Sequence, residues 1–132
     1  KVVDEPVSTL DLAATFYDYA GIEKPENIQS QSVRAMIEGK GSRDVAYNEW
    51  NVDASRCGVP LTLRTIRTKT HKCTFELESG AGELYDLVND PLEMDNLYED
   101  DAGGPARKEL TDMMHERPGV VLNEFAEPVG AA

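Results

Sequence analysis

A thiol next to a guanidinium is the first place to look for chemistry, and Ser55-Arg56-Cys57-Gly58 supplies one. A neighbouring cation lowers a thiol's pKa and can turn it into a nucleophile. No histidine lies near it in sequence to act as base, so a cysteine on a surface loop is the better reading. His71 and His115 are the only histidines. Neither forms a His-x-x-x-His pair, and no Cys-x-x-Cys occurs, so zinc-ligand spacing is missing. Asp86-Leu-Val-Asn-Asp-Pro lacks the alternating acids and central glycine of a calcium loop, and its carboxylates read as caps. Glu49 and Trp50 stand at the end of an expected strand and at the mouth of a long loop, where pocket residues gather. Trp50 fits a core position between two domains equally well.

The elements that would place these residues follow from periodicity. Ser8-Thr-Leu-Asp11 is a capping signature and opens a helix over 8–20, with Leu12, Ala13, Phe16, Tyr17 and Ala20 expected inward. Gly21 and Pro25 stop it. A shorter helix is expected over 32–38, with Val33, Met36 and Ile37 inward, then a strand over 44–50. An irregular stretch, 51–60, follows. Strands over 61–68 and 71–77 form a hairpin around Lys69-Thr70, and the turn Ser79-Gly-Ala-Gly82 leads into another strand over 83–87. Asp90-Pro91 with Glu93 predicts a single helical turn. A last helix covers 106–117, with Leu110, Met113 and Met114 inward, Pro118-Gly119 ending it and 129–132 frayed. The fold class expected is α+β: a small antiparallel sheet of three to four strands packed with helices.

Composition sets limits. The chain has 132 residues and a formal charge of −12, which opposes the counterion-driven attraction that nucleic acids and anionic membranes use. No apolar run reaches the roughly 18 to 20 residues of a membrane span. Cys57 and Cys73 could form one disulfide, but two free thiols are the preferred reading. From Glu76 to Asp101 there are ten carboxylates and no Lys or Arg, whereas Lys40 to Lys72 holds seven basic residues and three acids. The two stretches should attract each other, either as neighbouring solvated faces or as a docking surface for another part of the same protein. The chain starts at Lys1, not Met, and enters an acidic, proline-containing stretch, from which a segment of a longer protein is expected.

One stretch adds more. Glu83-Leu-Tyr-Asp-Leu87, Asp90-Pro91, Glu93 and Asn96-Leu97 resemble a segment near the C-terminus of sulfatases, members of the alkaline-phosphatase-like superfamily. Leu10-Asp-Leu-Ala-Ala-Thr15 through Asp18, Ala20, Gly21 and Ile22 is similar to a helix of the same enzymes, followed by Gln29, Ser32 and Gly39 in matching order. Arg64-Thr-Ile-Arg-Thr68 with Lys72 resembles their hairpin. Ala14 replaces a customary proline, Ser30 a glycine and His71 an aromatic residue. The resemblance covers about residues 7 to 98.

The resemblance implies the C-terminal portion of an alkaline-phosphatase-like α/β sulfatase. Residues 1–50 would finish the large catalytic domain, and 51–132 would form the C-terminal subdomain. It implies a parent enzyme that hydrolyses sulfate monoesters with a formylglycine nucleophile and Ca²⁺, both held in the N-terminal catalytic domain. That domain and a small sulfate ester are the expected partners. The formylglycine motif, Cys-x-Pro-Ser-Arg, does not occur here, and Ser55-Arg56-Cys57-Gly58-Val59-Pro60 holds similar letters in the wrong order. This piece is therefore expected to act as scaffold, carrying no catalytic residue or metal ligand, with Glu49, Trp50 and Arg56 as substrate-binding candidates on a pocket wall. Two alternatives stay open: the tail of a phosphonate monoester or phosphodiester hydrolase of the same superfamily, and a stand-alone acidic binding module.

Overall fold

The computed structural model describes residues 2–117. Helix α1 (Asp11–Ala20) and the short α2 (Arg34–Ile37) precede strand β1 (Ala46–Val52), the one-turn α3 (Ala54–Cys57), and strands β2 (Leu61–Arg67), β3 (His71–Glu76) and β4 (Gly82–Asp86). A 3₁₀ turn, Asp101–Gly103, leads into α4 (Gly104–His115). The four strands form one antiparallel sheet in chain order, β1-β2-β3-β4, the meander that short connections favour. The expected α+β class and the hairpin around Lys69-Thr70 are both present. The expected end of α4 at Pro118-Gly119 and the fraying over 129–132 lie outside the described residues.

The register decides where the core sits. Tyr47, Ile66, Cys73 and Leu84 face one another across the sheet in a single row, so side chains two residues away on each strand share their face. Helix α4 lays Leu110 and Met114 on that row, and Ile66, Cys73 and Leu84 are fully buried. Leu110 and Met114 are buried as expected, with Met113 half-buried beside them. The Tyr47 hydroxyl donates to the Met113 carbonyl at 3.1 Å, tying the edge strand to the helix. The approach to α4 needs Gly103, because a Cβ there would lie 2.2 Å from the Leu97 carbonyl oxygen. The charge asymmetry is used locally: Glu93 pairs with Lys72 and, at 3.5 Å, with Arg67.

Several expectations change. Helix α1 starts at Asp11, not at Ser8, and its inner face is not the apolar stripe. Asp11, Ala14 and Thr15 are buried, while Leu12 and Phe16 are 53% and 69% exposed. Polar bonding turns the helix this way. The Asp11 carboxylate pairs with Arg43 and accepts the Gln31 N–H at 3.2 Å, and Thr15 Oγ1 accepts the Val33 N–H at 3.0 Å. Burial pushes the Asp11 pKa up, but Arg43 and the N–H groups of Ser8 and Gln31 outweigh it and hold the carboxyl below its usual range. Asp11 also accepts the Ser8 N–H at 2.8 Å, which is half of the expected capping box. Gly21, at φ +66°, ends the helix as expected. In α2, Met36 is buried but Ile37 is 42% exposed. Strand β1 is shifted by two residues to 46–52, and the stretch expected to be irregular contains α3, whose N-cap Asp53 accepts the Ser55 N–H at 2.8 Å. The turn expected to be helical at Asp90 is not. Glu93 sits at φ +56°, and Asp90 instead accepts the N–H groups of Met94 and Asp95 at 2.7 and 2.9 Å.

Glu76 closes the β3–β4 connection. Its carboxylate accepts the Ser79 hydroxyl and N–H, both at 2.6 Å, and the Thr62 N–H at 2.9 Å. These donors, the Ser79 hydroxyl first, bring its pKa from 4.5 down to about 2. A carboxyl depressed on folding stabilises the native state above its unfolded pKa and loses that contribution as pH falls through the folded value. Glu76→Gln is expected to lower the melting temperature at pH 7, with the gap to the unmodified chain closing between pH 4.5 and about 2 in thermal scans.

Candidate functional site

Of the three residues singled out from sequence, Glu49 and Trp50 lie inside β1, not at its end as expected, and Arg56 lies on α3 beyond it. Glu49 and Trp50 are adjacent on an extended strand and therefore point to opposite faces. Glu49 pairs across the sheet with Arg64, on the face that carries α4, and Trp50 pairs with Leu63 on the other. Trp50 is 59% exposed. Arg56 is exposed on α3, close enough to Asp53 to favour its ionised form, although the Ser55 hydroxyl and N–H contribute more to the lowered Asp53 pKa. The strand thus joins Glu49 and Trp50 in sequence but separates their side chains.

What gathers around Glu49 is a different set. Arg64 is 3% exposed and lies where α4 has ended, beyond the apolar row. Its Nη1 donates to Asn51 Oδ1 at 3.0 Å and to the Leu63 carbonyl at 2.8 Å, and its Nε lies 3.5 Å from Glu49 Oε1. Arg117, just past α4, donates from Nε to the same Glu49 oxygen at 3.1 Å and from Nη1 to the Met114 carbonyl. A planar guanidinium holds its donors in fixed directions, whereas a lysine's three donors rotate about one nitrogen. Two guanidinium groups therefore fix one carboxylate and one amide on the exposed side of an edge strand.

The two cysteines differ in exposure. Both are free, as preferred from sequence. Cys73 is sealed in the core and burial pushes its thiol up to about 12. Cys57 is exposed, with Sγ 2.9 Å from the Val59 carbonyl oxygen. Among the described residues no group of three or more His, Cys, Asp or Glu side chains is placed to hold a metal ion, and no helix is long and apolar enough to cross a membrane. Asn51, Arg64 and Arg117 were not singled out from sequence. Arg64 stood in the hairpin motif, but an arginine between strand residues gives no sign by itself that it faces inward.

This domain, with its antiparallel meander and one covering helix, is of a known kind. The chain belongs to the family described as N-sulphoglucosamine sulphohydrolase, C-terminal, whose model matches residues 1–118. It is similar to the uncharacterized sulfatase YidJ of Escherichia coli K12, 34% identical over 125 residues that cover 95% of this chain and 25% of that protein. The solved structure of a 2-O GAG sulfatase superposes with a TM-score of 0.73 at 30% identity, over 88% of this chain and 26% of that one. A phosphonate monoester hydrolase from Silicibacter pomeroyi matches with a TM-score of 0.69 but 17% identity, over 85% of this chain and 25% of that one, a likeness of fold alone. The chain spans about a quarter of the length of these proteins. The sulfatase resemblance read from the motifs is therefore right at the level of family.

The geometry separates structural from exposed residues. Trp50→Ala and Arg56→Ala are expected to change unfolding free energy by less than about 0.5 kcal/mol, as exposed positions do. Arg64→Ala is expected to cost about 2 kcal/mol through lost packing and unanswered acceptors. Urea titrations of the three variants measure both.

Proposed function

We propose that this chain is the non-catalytic C-terminal part of an enzyme that hydrolyses sulfate groups on saccharides. The observation that carries the proposal is the family match over residues 1–118, to a domain described by an N-sulfated amino sugar. The GAG substrate named for the 2-O sulfatase structure supports the saccharide class. The reacting groups would belong to a preceding catalytic domain, which is the expected partner of this one. Formylglycine as nucleophile and Ca²⁺ as the group that stabilises sulfate charge are assigned to that domain. Among the described residues no group of three or more His, Cys, Asp or Glu side chains is placed to hold the ion.

In this reading the N-terminal residues complete the large α/β domain and the sheet builds the smaller unit. The division expected at residue 50 would cut strand β1, which pairs along its length with β2, so the junction is proposed before Ala46 instead. The exposed apolar side of α1, with Leu12, Phe16 and Tyr19, is the surface for the catalytic domain. Glu49, Trp50 and Arg56 are the residues proposed to meet the substrate, Glu49 from the face that carries α4 and Trp50 from the opposite one. Phosphonate monoester hydrolysis is the second reading, favoured only by the shared fold.

The test is hydrolysis of 4-nitrophenyl sulfate against 4-nitrophenyl phosphonate esters by the full-length protein and by the 132-residue chain alone. Turnover of the sulfate by the full-length protein, with none by the isolated chain, is expected. Turnover by the isolated chain, or preference for the phosphonate, overturns the proposal.

A further inference from the structure

The shelf beyond the end of α4 has an uneven distribution of hydrogen-bonding capacity. A guanidinium can only donate, so the Asn51 atom facing Arg64 Nη1 at 3.0 Å is its oxygen, and the amide nitrogen must point away. Among the described residues that NH₂ group has no acceptor, and Asn51 is exposed. Glu49 is bound by Arg64 and Arg117 through one oxygen, Oε1, and its side chain is 48% exposed. Glu49 and Asn51 are two residues apart on an edge strand and share a face. Together they offer a carboxylate oxygen and two N–H donors on one side.

Burying a guanidinium is costly unless its partners repay it. Here two of the partners are surface side chains that solvent could satisfy equally well. What the buried fork adds is orientation: Asn51 and Glu49 are held in place before any ligand arrives, so binding does not have to order them. An acceptor beside paired donors is the pattern that a polyol with ring hydroxyls requires.

We infer that Asn51 is a specificity-determining residue that donates to the sugar ring of the substrate, and that Arg64 is the positioning residue that turns its amide outward. The inference rests on the saccharide sulfatase reading above and adds to it the residue that distinguishes a sugar from another sulfate ester. Arg64 touches no substrate, and its effect passes through Asn51 and Glu49.

The experiment measures kcat/KM of the full-length protein on N-sulfoglucosamine and glucosamine 6-sulfate, and on 4-nitrophenyl sulfate, which has no ring hydroxyl. The quantity read is the ratio of sugar to aryl turnover. Asn51→Ala is expected to lower that ratio roughly three- to tenfold, the loss of one neutral hydrogen bond. Arg64→Lys keeps the charge and removes the fork, and is expected to lower it in the same direction. Because Asn51 is exposed, its variant keeps the test valid if Arg64→Lys fails to fold. A ratio unchanged within twofold for Asn51→Ala, or an equal fall on both substrates, overturns the inference. If the full-length protein hydrolyses the aryl sulfate and neither sugar, the inference fails while sulfatase activity stands. If it hydrolyses no sulfate at all, both fall.

Discussion

Helix α4 covers only part of one sheet face, and that limit organises the rest of the domain. Where the helix lies, the face is an apolar row, Ile66, Cys73 and Leu84, closed by Leu110 and Met114. Where the helix has ended, the same face continues with Arg64, and the exposed side chains of Glu49 and Asn51 collect around it. A single helix long enough to seal the whole face would leave no room for polar groups there. The length of α4 thus sets the border between the apolar and the polar part of that face.

The same division of labour holds on α1, with the polarities exchanged. Its buried side is polar, anchored by Asp11 to Arg43 and by Thr15 to the backbone of Val33, and its apolar side is open. An isolated amphipathic helix would lie the other way, because apolar burial is the larger driving force. The polar side is bonded to the loop that follows, and the apolar side is left uncovered among the described residues. This agrees with a chain that spans only a quarter of its relatives.

Much of the fold was legible from local chemistry. Gly21, the turn before β4 and the β2–β3 hairpin each have a backbone reason to be where they are, and all three are present. The misreadings share a cause. Helical spacing identifies a stripe but not which body covers it, so the direction of α1 could not be read from Leu12 and Phe16. The caps of a helix and of a turn use the same residues, so Asp90 with Glu93 predicted a helical turn where the carboxylate instead holds the N–H groups of Met94 and Asp95. Glu49 and Trp50 were singled out for standing at a strand end, but β1 continues to Val52 and places both inside the strand. Asn51 and Arg64 became visible only through the cross-strand register, a long-range property that no local window contains.

The two cysteines give the domain a pair of clocks. Cys57 is open to solvent, so an alkylating reagent reaches it without any opening of the fold. Cys73 is enclosed between sheet and helix with its thiol held in the protonated form, and the reagent must wait until α4 lifts away. The delay between the two modifications therefore times the opening of the core, with the faster thiol of the same molecule as its standard.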